Sequence, residues 1–254
     1  MNRSRTRHGF TLIELLVVIA IIGVLAAVLV GGLGGGSDSV KLQAAQASIA
    51  NLITVARSKA ISRGLRTRLV FHADMRTGHN PERFLNYILL QQLPEPKSDW
   101  RDDDWMTVST HSLPEGIYVL PYDLSQYPGI VPDEVSLKTE WTYNADDSRV
   151  MSSKLFQTSS RLGLEIDAHG TNSTSYYQGI MLTERGTLSK LDGSGSFLKN
   201  TRPDVLVVSG SKSEPSVIAD GQSPVVFTNA NLLRAVLVSK YGVPVIINNR
   251  EDIQ

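Results

Sequence analysis

The chain has 254 residues, 41% hydrophobic and 20% charged, with a formal net charge of zero. That length suits one globular domain with an appended segment, and the composition suits a folded chain rather than a disordered one. Neutral overall charge gives no whole-chain attraction to nucleic acid or acidic lipid, and the absence of cysteine excludes disulfides, thiolate metal sites and a cysteine nucleophile.

Residues 1–9 carry Arg3, Arg5, Arg7 and His8 and no acid. From Leu15 to Leu33 there is no charged or strongly polar side chain. As a helix this run spans roughly 28 Å, about one hydrocarbon core. The arginines precede the run and only Lys41 follows it closely, so the positive-inside rule places the N-terminus in the cytoplasm and the rest outside. The run is longer than the apolar region of an ordinary secretory signal, although Ala26-Ala27 imitates a cleavage site. A plain membrane anchor fits length and charge but leaves Glu14 unexplained. A carboxylate at the edge of an apolar run is costly and calls for a partner, or else it snorkels to the headgroups.

The string from Gly9-Phe10-Thr11-Leu12-Ile13-Glu14 through the apolar residues to Ala27 closely resembles the precursor signature of type IV pilins and type II secretion pseudopilins. The resemblance implies cleavage by prepilin peptidase between Gly9 and Phe10, with N-methylation of Phe10. Glu14 then becomes the fifth mature residue and the assembly charge partner of a Phe10 ammonium, on its own or a neighbouring subunit. An opposite charge in a low-dielectric bundle would neutralise that ammonium. The resemblance also implies as partners the other pilin or pseudopilin subunits, met through the N-terminal helix. An inner-membrane assembly platform and, before assembly, membrane lipid complete the set.

Five glycines among residues 31–36 disfavour a helix by about 1 kcal/mol each relative to alanine, which predicts a joint over 31–39. A glycine-packed continuous helix is the alternative. The run lacks the GK[ST] ending of a phosphate-binding loop. Ser37-Asp38-Ser39 offers N-cap residues for a second helix over 40–64. There Leu42, Ala45, Ile49, Leu52, Ala56 and Ala60 recur at helical spacing, and Gly64 suits the C-cap. The predicted organisation is therefore a cleaved leader (1–9), a transmembrane helix (10–33), the joint (31–39), an amphipathic helix (40–64) and a periplasmic head (65–254).

Beyond residue 65 the pattern turns to short strands. Candidates are Leu65–Phe71, Phe84–Leu90, Thr107–His111, Ile117–Leu120, Val135–Tyr143, Leu162–Ile166, Tyr176–Leu182, Val205–Val208, Val225–Phe227, Ala235–Ser239 and Val245–Ile247. Turn residues between them predict antiparallel sheets packed together, so the expected class is α+β, a long helix on an antiparallel head. The stretch Ala56–Gly64, Leu113-Pro114-Glu115-Gly116-Ile117 and Ala235–Pro244 resemble segments of the H-type minor pseudopilins and their FimT-like pilus relatives. Against that group the head has insertions near 72–82, 94–105 and 121–134.

Catalytic and ligand-binding motifs are not evident. His8, His72, His79, His111 and His169 show no metal-ligand spacing. Asp102-Asp103-Asp104, between Trp100 and Trp105, lacks the alternation of a Ca²⁺ loop and reads as a solvated loop. No nucleophile elbow occurs. The expectation is a non-enzymatic structural subunit with no cofactor and no metal. Two alternatives are a FimT-like minor pilin binding DNA and a membrane-tethered hydrolase or binding protein. DNA binding is disfavoured, because losing Arg3, Arg5 and Arg7 leaves 22 basic against 25 acidic side chains. Arg234, Lys240 and Arg250 remain as a candidate local patch.

Overall fold

The computed structural model describes residues 12–76, 78–96, 99–131, 141–142, 149–156, 162–164, 174–191, 204–227 and 229–253. The side chains of residues 12–18, 20–37 and 102 fall outside that description. The chain divides into two compact units, Met1–Ser39 and Val40–Gln254.

Helical backbone, α1, runs Leu12–Arg63. It passes through the glycines of 31–36, where a break was expected, and the boundary between units falls just beyond them. Ser37, Asp38 and Ser39 sit within helical backbone. The far end agrees with the sequence. Gly64 takes a left-handed conformation with φ 64°, and the Leu65 N–H donates to the Ala60 carbonyl at 3.2 Å. That is the six-to-one bond of a Schellman motif.

Two antiparallel sheets form the head. The first has strands β1 (Thr67–His72), β2 (Tyr87–Gln92), β3 (Met106–Ser112), β5 (Leu162–Leu164), β6 (Ser175–Leu182) and β7 (Leu188–Ser189). Its order is β3-β2-β1-β6-β5, with β7 also paired to β6. The second contains β4 (Ile117–Val119), β8 (Asp204–Lys212), β9 (Val225–Phe227), β10 (Leu233–Val238) and β11 (Pro244–Ile247). Its order is β11-β10-β8-β4, with β9 paired to the far end of β8. A short helix, α2 (Pro215–Ala219), lies in the β8–β9 connection, and neither α2 nor β7 was expected from the pattern. The candidate strand at 135–143 lies mostly outside the described residues, where only the isolated Thr142–Val150 bridge is seen.

The second half of α1 sits in the main core. One apolar cluster joins Leu42, Ala45, Ile49, Ile53, Ala56 and Ala60 to residues of both sheets, including Leu69, Phe71, Ile88 and Leu90 of the first and Val205, Val207, Val236 and Val238 of the second. The stripe read from the sequence is thus buried between two sheet faces. A second cluster, with Tyr118, Leu206, Val208, Phe227 and Trp141, covers the other face of the second sheet. The first sheet is covered on its far side as well, by Leu162, Leu164 and Leu191 and by Leu93 and Trp105. That is why every residue of β1 is buried rather than every other one. Gly179 on β6 faces Val70 of β1, and a Cβ there would overlap the Leu69 carbonyl oxygen. Glycine allows the two central strands to approach at this point.

Candidate functional site

Gly9 and Phe10 lie outside the described residues. Glu14 lies in the first described turn of α1. Among the described residues no helix is long and apolar enough to cross a membrane, and the side chains of the Leu15–Leu33 run fall outside them apart from Ile19.

The head grips the second half of α1 through polar contacts as well as apolar ones. Gln46 is fully buried, and its Nε2 donates to the carbonyls of Ala235 and Ile247, both at 2.7 Å. One helix side chain thereby ties together β10 and β11, whose register pairs those same two residues. Arg57 Nε donates to the Tyr241 carbonyl at 2.7 Å, so the β10–β11 hairpin runs along the helix. Thr67 Oγ1 donates to the Ala56 carbonyl at 3.0 Å, and the Arg63 guanidinium donates to Gln92 Oε1 at 3.3 Å. Gln46 and Arg57 flank the stripe found from sequence, and nothing local distinguishes them; their carbonyl partners are about 190 residues away.

The triple-aspartate stretch is a capped turn. Residues Asp102–Asp104 form a 3₁₀ helix, and the Asp104 carboxylate accepts the Arg101 N–H at 2.6 Å. The turn brings Trp100 and Trp105 edge to face, with centroids 5.4 Å apart. Trp105 in turn lies under the guanidinium of buried Arg68 at 4.4 Å, while Arg68 Nε donates to Gln91 Oε1 at 2.7 Å. Residues 100–105 thus cover the polar part of the first sheet's far face. Burying a guanidinium requires such partners, because an unpaired charge in the interior is strongly unfavourable.

Asp74 is also buried, and it ties the end of β1 to β6. Its carboxylate accepts from the Arg76 guanidinium at 2.6 Å, from the Arg76 N–H at 3.0 Å and from the Tyr176 N–H at 3.1 Å. Burial works to raise this carboxyl, but the hydrogen bonds from Arg76 and Tyr176 outweigh it and hold it below its ordinary value. His79 Nδ1 stands 3.5 Å from Asp74 and 3.4 Å from Ser175 Oγ. Asp204, at the start of β8, behaves oppositely. Burial pushes it up to about 6, against the Lys154 N–H it accepts at 2.7 Å and the Lys154 charge.

The other histidines do not converge. His72 is buried edge-on to Tyr177, His111 sits on β3 beside Ser109, and His8 and His169 are outside the described residues. Among the described residues no group of three or more histidine, aspartate or glutamate side chains is placed to hold a metal ion. The expected basic patch is occupied by local contacts. Arg234 donates to the Asn248 carbonyl, and Arg250 donates to the carbonyls of Ala230 and Thr142 at 3.2 and 2.9 Å. Lys240 lies over the Tyr241 ring at 4.9 Å.

Comparison with known families gives one match. Residues 4–30 fit the model described as the prokaryotic N-terminal methylation motif. The match spans residues 4–9 of the basic leader, the Gly9–Phe10 junction, Glu14 and most of the apolar run, and it supports the type IV pilin and pseudopilin family. It indicates a pilin-like chain that is processed by prepilin peptidase and assembles with other pilin subunits. Comparisons with curated proteins and with solved structures give no significant match.

Proposed function

We propose that this protein is a structural minor subunit of a type II secretion pseudopilus or a type IV pilus, without catalytic activity of its own. It is held in the bacterial inner membrane as a single-pass precursor with a cytoplasmic N-terminus and a periplasmic head. Peptidase cuts between Gly9 and Phe10, Phe10 is methylated, and Glu14 serves as the charge partner of a Phe10 ammonium during assembly. The observation that carries this reading is the coincidence of the methylation-motif match over residues 4–30 with the string Gly9-Phe10-Thr11-Leu12-Ile13-Glu14. The second half of α1, seated between two sheets, supports a head built around residues 42–60 of its own helix. The resemblance of 56–64, 113–117 and 235–244 to H-type and FimT-like heads favours a minor over a major subunit. Intact-mass measurement and N-terminal sequencing of membrane-extracted protein from cells with active peptidase test it. The expected product starts at methylated Phe10; a chain cut after Ala27, or left uncut, overturns the reading.

A further inference from the structure

The two sheets are bordered by β3 and β11 on one side and by the short pairs β5/β7 and β4/β9 on the other, and all of these but β3 are poor templates for pairing. β5 and β4 are three residues each, and β4 is buried throughout with its Val119 N–H donated to the Leu85 carbonyl at 2.7 Å. β11 has four residues and begins with Pro244. The Ser239 N–H donates to the Val243 carbonyl at 2.9 Å, so antiparallel alternation turns Pro244 outward, where it removes a donor from the edge. Short strands and proline are the ordinary means of blunting an edge.

β3 has neither. It is seven residues long, Met106–Ser112, and contains no Lys, Arg, Asp, Glu or Pro. Among the described residues it pairs only with β2. It is exposed on both faces, with Met106 at 59% and Val108 at 39% of full exposure. The Leu113 N–H donates to the Asn86 carbonyl at 2.9 Å, and the register continues through His111–Ile88 and Ser109–Leu90. Alternation therefore aims the backbone of Ser109 and His111 at β2 and that of Thr110 and Ser112 outward. A register shift at Leu90/Gln91 leaves Val108 as an extra residue on β3, so the bulge falls before the regular stretch Ser109–Ser112 and leaves it intact.

We propose that β3 is a docking edge, extended by a strand from a neighbouring filament subunit of a different kind from this chain. This rests on the pilin reading above. An outward row of N–H and C=O groups is complementary to an extended backbone and to little else, and with no Lys, Arg, Asp or Glu the strand imposes no fixed charge requirement on the partner. Subunits that share the N-terminal assembly motif are tethered side by side through their helices. That raises the effective concentration of a neighbouring head at this edge, so a contact of few residues suffices.

The chain has no native cysteine, so single cysteines report cleanly. Thr110→Cys and Ser112→Cys variants of the full chain are expressed with prepilin peptidase and the other subunits of the same filament, and treated with a short thiol-to-amine crosslinker. The expected result is a crosslink from each to another subunit. It should fall at least tenfold when Thr110→Pro is combined with Ser112→Cys, since proline deletes an outward N–H without touching the bond to β2. Thr110→Lys, which keeps the N–H but charges the edge, should also weaken it. Unchanged melting temperature and circular dichroism of both variants establish that the head is folded. Crosslinking that is insensitive to both substitutions, that occurs only between copies of this chain, or that captures only secreted cargo overturns the proposal while normal Gly9 cleavage leaves the pilin reading standing. Absent cleavage overturns that reading first, and this one with it.

Discussion

The N-terminal segment and the head carry their information in different forms. Residues 4–30 match a family model as a linear string, whereas the matches found do not extend into the unit that starts at Val40. The difference follows from what reads each part. A peptidase and a bilayer read side chains in order: a small residue before the scissile bond, a carboxylate five positions on, an apolar run of membrane length. The head is read by its own packing, and packing accepts many sequences of similar volume and pattern. Short linear signals survive in a single sequence; tertiary ones disperse over it.

The largest effect is expected where that linear code is most local. Replacing Gly9 with Trp should leave essentially all of the precursor uncut, as read by intact mass, because the side chain obstructs the scissile bond. A precursor processed normally would show that the junction is read elsewhere.

Glu14→Ala should leave insertion and cleavage intact and weaken incorporation into the filament, as read by co-purification with the other subunits. Stranding one charge of a buried pair typically costs about 3–5 kcal/mol, whereas an exposed pair is worth about 0–1 kcal/mol. Glu14→Gln keeps the shape and removes the charge, so normal assembly of both variants would show that the carboxylate only snorkels to the interface.

In the head the corresponding test is Ile49→Ala, since Ile49 is fully buried between the two sheets. The expected loss is about 2–5 kcal/mol of head stability by denaturant unfolding, with Gly9 cleavage unchanged. A coupled loss of cleavage would break the separation between the two regions.

Asp204 sharpens the comparison from the side of pH. Its folded-state value of about 6 exceeds the ordinary 3.8, so the native state binds more protons than the unfolded one between those values. The Asp204 contribution to head stability should therefore be fully present below its ordinary value and be lost as pH rises through about 6, where the carboxylate becomes ionised and buried. Asp204→Asn keeps an acceptor for the Lys154 N–H, and should flatten this dependence and stabilise the head at pH 7 by up to about 3 kcal/mol. Parallel pH profiles for the two proteins would place the titration elsewhere. The smallest effect is reserved for metal: a chelator should leave the melting temperature unchanged, as the Asp104 carboxylate is engaged with the Arg101 N–H.

Much of the head's secondary structure was legible because its signals are local. Val225–Phe227 coincides with β9, Thr107–His111 falls inside β3 and Tyr176–Leu182 inside β6. Gly64 ends α1 as its lack of a side chain suggests. Helical backbone across 31–36 matches the alternative the sequence offered to a joint, since helix propensity is a weak prior that neighbouring helix overrides. Asp102–Asp104 was read as a solvated loop; it forms a 3₁₀ turn, and its link through two tryptophans to buried Arg68 was invisible.

What the sequence by itself determined is the N-terminal processing signal, the apolar stripe of the helix over 40–64 and the antiparallel, sheet-rich character of the head. Each depends on residues within a few turns or strands of one another, so spacing alone encodes it. The tertiary structure decided what spacing cannot encode. It buried the stripe between two sheets, used Gln46 to bind carbonyls of residues 235 and 247, stacked Arg68 over Trp105, and left β3 as the long edge without Lys, Arg, Asp or Glu. These outcomes turn on which distant strands become neighbours. That choice is made by the summed burial and hydrogen bonding of the whole head, a quantity that no single segment contains.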